Sequence, residues 1–216
     1  MNQNGRGTWY PSLPDILDIQ QQWFTQDEVR RIVSAAKGQY KPLFHLTAFS
    51  GLRSGEISGL HVEDLDLVRG IVHVQRSVWQ GIEVVTKGKK RRDVFIDSST
   101  AAMLAEYLGG RTTGRMFQTR NGTPLNNQNI VNKVLGPICE RLGIKHGAMH
   151  AFRHGRVSDL QAKNVPADFI KRQVGLSSLR TTSGYTHFSE AFIRETVERV
   201  AAVGLTGQVG LTSKPN

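Results

Sequence analysis

The segment at residues 50–56 (SGLRSGE) has the composition of a phosphate-binding turn. Arg53 stands between two glycines at a predicted helix start, and Glu56 follows three residues later on the same helix face. Free N–H groups at a helix N-terminus suit a phosphate, and a guanidinium matches phosphate oxygens with parallel hydrogen bonds. The segment therefore predicts a phosphate contact, with an ordinary turn and a surface Arg–Glu pair as the alternative.

A histidine and an arginine share a predicted helix face in residues 150–154 (HAFRH). His150 and Arg153 are three residues apart, so a helix would present a proton-handling ring and a forked donor side by side. Residues 175–187 (GLSSLRTTSGYTH) add Tyr185 among small polar residues, where a phenol could serve as a nucleophile. The alternatives are a surface helix with two histidines and a half-buried packing tyrosine.

Positive charge dominates the sequence and is concentrated in one run. The 216 residues contain 28 Lys and Arg against 18 Asp and Glu, a formal charge of +10. Such a surplus favours a polyanionic partner, and nucleic acid first. The run between two predicted strands is expected to form a basic hairpin turn that contacts nucleic acid, through Lys89, Lys90, Arg91 and Arg92 beside Lys87. Its alternative is a solvated turn.

Cysteine content and hydropathy argue against a disulfide-bonded, a zinc-cysteine or a membrane-spanning protein. Cys139 is the only cysteine, so neither an intrachain disulfide nor a cysteine zinc site is possible. No stretch is long and apolar enough to span a bilayer, and the polar N-terminus lacks the pattern of a signal peptide. We therefore expect a cytoplasmic protein without membrane contact, and the charge favours nucleic acid as its partner.

The elements that must position these residues are predicted to form a mainly α fold with one small antiparallel β-sheet (α+β). Thr25 and Glu28 have capping-box spacing at the start of the first helix, which Gly38 can end. Further helices are predicted at 42–50, from Ser54, and near 99–108, 126–142, 150–163, 166–173, 178–185 and 189–203. Strands are predicted around Val72 and Val74, at 82–86 and at 93–96. We expect an N-terminal linker at 1–22, one domain at 23–203 and a flexible tail at 204–216.

In this order along the chain, the four segments resemble the catalytic domain of the tyrosine recombinases, the phage integrase family. The family's T/S-G-L-R-x-G-E segment is matched at 50–56, its Thr-Lys strand turn at 86–87 and its H-x-x-R-H box at 150–154. Its G-H-S-S-x-x-T-T-x-x-Y-T-H segment is matched at 175–187 except at Leu176. The resemblance runs from about residue 25 to residue 200 and implies the fold and the chemistry of that family.

The chemistry that the resemblance implies is a site-specific recombination in which DNA is cut and rejoined through a 3′-phosphotyrosine. Tyr185 would be the nucleophile, and Arg53 and Arg153 would stabilise the charge that develops on the phosphate. Glu56 would orient or buffer this cationic cluster. The reaction would need no metal, no other cofactor and no ATP, because the bond energy is kept in the tyrosine ester.

The resemblance also implies catalytic roles in proton transfer. A free tyrosine has a pKa near ~10, so its phenol is a poor nucleophile at neutral pH. His150 would assist removal of that proton. Lys87 would protonate the leaving 5′ oxygen, or Lys89 or Lys90 would do so if the turn has a different register.

The sequence departs from the family's pattern at one position of the tyrosine segment. Leu176 stands where the family normally has His or Trp, both of which can donate a hydrogen bond to a phosphate oxygen, as leucine cannot. The enzyme is therefore expected to be slow rather than inactive. His187 matches a position where the family has a histidine besides the catalytic one, so it is not assumed to replace the missing donor.

Residues 1–24 alone precede the first matched helix, whereas the family usually has an N-terminal domain that clamps the DNA. A catalytic-domain fragment or an unusually short family member is therefore expected. By the same resemblance we expect double-stranded DNA as the partner, a homotetramer on DNA and a monomer without it. The helix at 189–203 would dock on a neighbour or on its own domain. Two other functions stay open: a non-catalytic DNA-binding relative, and a type IB topoisomerase-like enzyme.

Overall fold

The computed structural model describes residues 23–85, 91–145 and 147–176. Its helices are α1 (Gln26–Ala35), α2 (Tyr40–Ser50), α3 (Ser54–Ser58), α4 (Ser98–Leu108), α5 (Asn127–Ile130), α6 (Gly136–Leu142), α7 (His150–Ala162) and α8 (Ala167–Val174). Its strands are β1 (Leu65–Asp66), β2 (Ile71–Val74), β3 (Arg76–Trp79), β4 (Ile82–Val85) and β5 (Arg92–Phe95). Within these ranges no helix is both long and apolar enough to cross a membrane.

The described helices lie where the periodicity of apolar residues predicted them. Thr25 begins α1 with a capping box, in which its hydroxyl accepts the Glu28 N–H at 3.2 Å and the Glu28 carboxylate accepts the Thr25 N–H at 2.8 Å. The helix predicted at 126–142 is one helical segment, in which a π-helical turn at Val131–Leu135 joins α5 to α6. The mainly α fold is therefore confirmed. The predicted helices at 178–185 and 189–203 lie outside the described residues, as do the predicted linker and tail.

The packing of α2 against α7 forms the centre of the core. The buried rings of Phe44 and Phe152 stack with centroids 5.5 Å apart, and Phe24 packs on Phe152 at 4.8 Å. A Cβ on Gly155 would lie 2.4 Å from the carbonyl oxygen of Phe24, so only a glycine permits this approach to α7. Truncating a buried ring typically costs about 3–5 kcal/mol. This packing therefore fixes the end of α2, just before Arg53, relative to the start of α7.

Among the described residues two small antiparallel sheets lie beside the helices, where the sequence predicted one. The first has the strand order β1-β2-β5, and the second pairs β3 with β4. The predicted hairpin between the strands at 82–86 and 93–96 is therefore wrong for the described residues, because β4 pairs with β3 and β5 pairs with β2. Burial selects the pairing of β2, since Val72 lies opposite Val94 and both side chains are fully buried.

The strand that the sequence did not predict, β3, belongs to a tight hairpin with β4. Gln80 and Gly81 connect the two strands with φ values of 49° and 80°, as a two-residue type I′ turn requires. Arg76 and Ser77 interrupt any alternation of apolar residues in β3, so the strand lacks the period-2 signal that marks a half-buried strand.

Ion pairs hold this hairpin against the rest of the domain. Arg76 donates to both carboxylate oxygens of the buried Asp64 at 2.6 Å, and Glu83 on β4 pairs with Arg115. Because Asp64 is buried, removing Arg76 would leave its charge without this cation, which is strongly destabilising. Because β4 ends two residues before Lys87, these contacts position the strand that leads to the predicted general acid.

Candidate active site

Arg53 lies at the junction of α2 and α3, where the chain turns sharply. Gly51 ends α2 with a left-handed φ of 70°, and Arg53 caps the N-terminus of α3. The Glu56 carboxylate accepts the Arg53 backbone N–H at 2.8 Å and its Nη1–H at 3.1 Å, so the two side chains do share a face. Glu56 thereby occupies the N-terminus of this short helix. The guanidinium of Arg53, rather than the helix end that the sequence suggested, is the group available to a phosphate.

Glu56 is a buried anion between two arginines. The residue is 6% exposed, and Arg92 on β5 donates to its two carboxylate oxygens at 2.8 Å each. Burial alone would raise the pKa of Glu56, but the hydrogen bonds and charges of Arg92 and Arg53 outweigh burial and hold this pKa below its ordinary value. Glu56 is therefore ionised at neutral pH and joins two cations from different elements.

Arg153 and His150 occupy the first turn of α7. The buried Arg153 donates from Nη1 to the carbonyl oxygens of Gly51 at 2.6 Å and Val174 at 2.5 Å. His150 is exposed on one side, yet the surrounding protein lowers its pKa through partial burial and then through the charges of Arg153 and Arg53. At neutral pH the imidazole is consequently uncharged and able to accept a proton.

The carbonyl groups of Val174 and Gly175, at the C-terminal end of α8, connect the arginines. Gly175 ends α8 with φ 70°, and its carbonyl oxygen accepts an Arg53 Nη2–H at 2.6 Å. The carbonyl oxygen of Val174 accepts from Arg153 and, at 3.3 Å, from Arg92. Carbonyl oxygens at a helix C-terminus carry partial negative charge, which allows three guanidinium groups to lie close together. We call Arg53, Arg92, Arg153 and Glu56 the arginine cluster.

Leu176 follows Gly175, the residue whose carbonyl oxygen binds Arg53. Its N–H donates to the carbonyl oxygen of Lys171 at 3.0 Å, which completes the turn that ends α8. Its partly buried side chain packs against a small apolar cluster of Val157, Leu160, Ile170 and Val174. Leucine at this position therefore contributes packing, in addition to lacking the hydrogen-bond donor that the family's pattern has there.

The two predicted DNA contacts that the structure describes have different surroundings. Arg91 is exposed and lines a groove of about 490 Å³ together with His73 and Arg172, so its predicted contact with DNA stays a prediction that this position permits. Arg92 does not lie on an exposed turn as predicted, because β5 begins with it and its guanidinium is bound to Glu56. The remaining predicted residues lie outside the described ranges and keep their predicted roles: Lys87, Lys89, Lys90, Tyr185 and His187.

Two of the other tyrosines are described, and neither has the surroundings of a nucleophile. The Tyr107 hydroxyl donates to the carbonyl oxygen of Met116 at 3.0 Å, and burial raises the pKa of this phenol, the opposite of what attack requires. Tyr40 begins α2, at the end opposite Gly51, and a helix of this length is roughly 16 Å long. Both observations favour a nucleophile elsewhere in the chain.

The fold is that of a tyrosine recombinase catalytic domain. It is similar to the crystal structure of XerA recombinase, with a TM-score of 0.68 and 22% sequence identity over 82% of this chain and 64% of that chain. It is also similar to the XerH site-specific recombinase bound to a palindromic difH substrate in a post-cleavage complex, with a TM-score of 0.63 and 20% identity over 82% of this chain and 52% of that chain.

The sequence profile of the phage integrase family matches residues 22–191. The chain therefore belongs to the phage integrase family, as its four motifs predicted. A relative named tyrosine recombinase XerC-like, from Caldanaerobacter subterraneus subsp. tengcongensis, is 28% identical over 215 residues, which cover 85% of this chain and 55% of the relative. The chain spans about half the length of the curated relatives that it matches.

Proposed function

We propose that the chain is the catalytic part of a site-specific DNA recombinase that cuts and rejoins strands through a phosphotyrosine. The observation that carries this proposal is the meeting of Arg53 and Arg153 at the end of α8, where the segment with Tyr185 begins. Arg153 lies 102 residues from its carbonyl partner Gly51, so folding alone brings these groups together. Family membership and the likeness to a recombinase complexed with DNA support DNA as the substrate.

The proposed cleavage is an in-line substitution at phosphorus. The Tyr185 oxygen forms a bond to the scissile phosphorus while the bond to the 5′ oxygen breaks, and the electron pair leaves with that oxygen. Arg53 and Arg153 donate to the non-bridging oxygens, where negative charge increases. Removing one preorganised donor of this kind typically costs about 10²–10³ in rate. Arg53 is the more accessible of the two, with 44% of its side chain exposed.

Protons move in opposite directions at the two ends of the reaction. Uncharged His150 accepts the Tyr185 proton as the phenol attacks, and Lys87 gives a proton to the departing 5′ oxygen. Lys87 lies five residues before Arg92 in the sequence, a separation that spans at most about 17 Å, which keeps it in the neighbourhood of the arginine cluster. The reverse reaction, with a 5′ hydroxyl from a second duplex as nucleophile, joins the exchanged strands without ATP.

The proposed chemistry assigns stabilisation of the phosphate to cationic side chains, a role that metal ions have in many nucleases. Among the described residues no group of three or more His, Cys, Asp or Glu side chains could hold a metal ion. We also propose a homotetramer on DNA, a monomer without DNA and a cytoplasmic location, in keeping with the family resemblance. Light scattering with and without the cognate duplex distinguishes these assembly states.

Covalent trapping from a mixed DNA pool tests the proposal and identifies the DNA site in the same experiment. Duplexes with a randomised central segment and a nearby nick are incubated with the chain in EDTA, and SDS-resistant protein–DNA adducts are recovered and sequenced. We expect one enriched sequence, trapped equally well with and without EDTA. A duplex with a free 5′ hydroxyl should then convert the adduct into joined DNA.

Each other outcome of this experiment points to a different protein. Sequence-specific binding without any adduct would identify a non-catalytic DNA-binding relative. Adducts on all sequences, together with relaxation of supercoiled plasmid, would identify a type IB topoisomerase-like enzyme. Loss of adduct in EDTA would contradict the metal-independent mechanism.

A further inference from the structure

Arg92 belongs to the arginine cluster, but the proposed mechanism gives it no step. Its side chain is 16% exposed, so little of it can meet DNA. Its guanidinium lies against Gly175, where an added Cβ would come within 2.6 Å of Arg92 Cζ and 2.7 Å of Nε. A long cationic side chain that is kept from solvent in this way needs a role within the protein.

We propose that Arg92 is a positioning residue that acts through Glu56 and Gly175 to aim the guanidinium of Arg53 at the scissile phosphate. This inference rests on the proposed DNA cleavage and adds a residue to its machinery. It replaces the direct DNA contact that the basic run in the sequence suggested for Arg92.

The first connection runs through the two oxygens of Glu56. Oε1 accepts from Arg92 Nη1 at 2.8 Å and from Arg53 Nη1 at 3.1 Å. Oε2 accepts from Arg92 Nη2 at 2.8 Å and from the Arg53 backbone N–H at 2.8 Å. Both oxygens are therefore shared between the two arginines. Because Arg92 holds the carboxylate with two parallel hydrogen bonds, it fixes the plane in which Glu56 meets Arg53.

The second connection runs through the end of α8. Arg53 Nη2 donates to the carbonyl oxygen of Gly175, and Arg92 Nη2 donates to the adjacent carbonyl oxygen of Val174 at 3.3 Å. Arg92 also fills the space beside Gly175 that a side chain would otherwise occupy. Both partners that orient the Arg53 guanidinium, Glu56 and Gly175, are thus supported by Arg92.

The geometry distinguishes arginine from lysine at this position. A lysine ammonium could approach one oxygen of Glu56 as a point charge, but it lacks the planar fork that engages both. Arg92→Lys should therefore keep Glu56 neutralised while loosening its orientation. Arg92→Gln removes both the charge and the fork, and leaves a buried carboxylate with one cation fewer.

Single-turnover cleavage of the DNA site recovered by covalent trapping measures the proposed role. With protein in saturating excess, Arg92→Gln should slow adduct formation by about 10²-fold, the loss typical of a small misplacement of a catalytic group. Arg92→Lys should fall between this variant and the wild type. The DNA dissociation constant and its salt dependence should stay close to the wild-type values for both, because no phosphate contact is lost.

The matched control is Arg69→Gln. Arg69 lies on the turn between β1 and β2, with 70% of its side chain exposed and a 3.8 Å pair to Asp66. This variant loses the same charge from an exposed Arg–carboxylate pair and should cleave DNA at the wild-type rate. A Glu56→Gln/Arg92→Gln double variant leaves no unpaired buried charge, so it remains informative if Arg92→Gln alone fails to fold. Its rate should match that of Glu56→Gln alone, since the two residues act in one chain of contacts.

A direct DNA contact would give the opposite pattern. If Arg92→Gln weakens DNA binding and flattens its salt dependence, while bound DNA is cleaved at the wild-type rate, the positioning role is wrong. Equal and independent losses from Glu56→Gln and Arg92→Gln, adding fully in the double variant, would also overturn it.

Side-chain NMR separates failure of this inference from failure of the proposed function. If the wild type forms no adduct, the proposed function fails, but the contacts of Arg92 can still be tested in the free protein. The Arg53 Nε–Hε signal and the Leu176 amide signal, which reports on the Gly175 carbonyl, should shift in Arg92→Gln and Arg92→Lys. They should not shift in Arg69→Gln. Unmoved signals in the Arg92 variants would show that Arg53 is oriented without Arg92.

Discussion

The guanidinium of Arg53 donates a 2.6 Å hydrogen bond to the carbonyl oxygen of Gly175, which lies 122 residues further along the chain. Gly175 ends α8, and the segment that carries Leu176 and Tyr185 begins there. An arginine proposed to bind the scissile phosphate is therefore hydrogen-bonded to the residue that precedes the segment of the proposed nucleophile. This bond joins the α2–α3 junction, which carries Arg53, to the end of α8.

Replacing Gly175 by alanine should slow DNA cleavage, in addition to lowering the stability of the domain. The residue has φ 70°, and a Cβ would come within 2.6 Å of Arg92, so the variant strains the backbone and displaces the arginine cluster. The backbone strain should cost roughly 1–2 kcal/mol. The matched control is Gly109→Ala at the end of α4, with φ 55° and open space around the added Cβ.

Thermal unfolding and single-turnover cleavage of the two glycine variants should separate strain from positioning. Both variants should lose stability through backbone strain, Gly175→Ala the more because of its clash with Arg92. Only Gly175→Ala should lose cleavage rate, by about tenfold or more, as misplaced catalytic groups do. Equal cleavage rates in the two variants would show that Gly175 does not position the arginine cluster.

The pH dependence of adduct formation should report His150. Partial burial and the charges of Arg153 and Arg53 lower its pKa below the ordinary 6.5. The uncharged ring is the active form of a base, so the rate should be level at neutral pH and fall as the pH drops through this lowered pKa. His150→Gln should be slower throughout and should lack this acidic limb. An unchanged limb in His150→Gln would assign the titration to another group.

Arg91→Gln should weaken DNA binding without affecting the arginine cluster. Arg91 is exposed beside the groove with Arg172, and loss of one phosphate contact should reduce the slope of log K against log salt by about 0.9. Titrations of the cognate duplex at several salt concentrations measure this slope. Arg30→Gln is the control, because Arg30 is exposed on α1 with 72% of its side chain accessible. Equal slopes of log K against log salt for Arg91→Gln and Arg30→Gln would show that Arg91 does not contact the DNA.

Leu176→His should speed adduct formation relative to both the wild type and Leu176→Ala. Histidine restores a donor for a phosphate oxygen, and one such donor is typically worth about 10²–10³ in rate. Both substitutions remove the contacts of Leu176 with Val174 and the neighbouring apolar cluster, at a cost of about 1 kcal/mol in stability. Single-turnover rates of adduct formation for the wild type and the two variants test this prediction. If histidine gives no gain over leucine, the missing donor is not what limits the rate.

Helical spacing allowed much of the site to be predicted from the sequence. The i, i+3 relation of Arg53 to Glu56 is observed as two hydrogen bonds, because residues three apart share a helix face whatever the rest of the fold does. His150 and Arg153 lie together in the first turn of α7 for the same reason. The capping box at Thr25 is equally local, since both of its hydrogen bonds lie within one turn.

The contacts that could not be predicted are those between distant segments and those made by backbone groups. Arg92 lies 36 residues from Glu56, and the charge run that contains it looks like a solvated turn. The carbonyl oxygens of Gly51, Val174 and Gly175 bind arginines, but no side-chain pattern marks a carbonyl as a partner. The pairing of β5 with β2 depends on the buried face of the sheet, which a hairpin interpretation of neighbouring strands overlooks.

The identity of the covalently linked residue tests the phosphotyrosine most directly. Adducts formed on the nicked cognate duplex are digested with trypsin, and the DNA-linked peptide is identified by mass spectrometry. We expect the peptide spanning residues 181–194, which contains Tyr185 as its only tyrosine. Tyr185→Phe should form no adduct, while Tyr40→Phe should form as much as the wild type. An undiminished adduct in Tyr185→Phe, or DNA attached to any other peptide, would contradict the proposed mechanism.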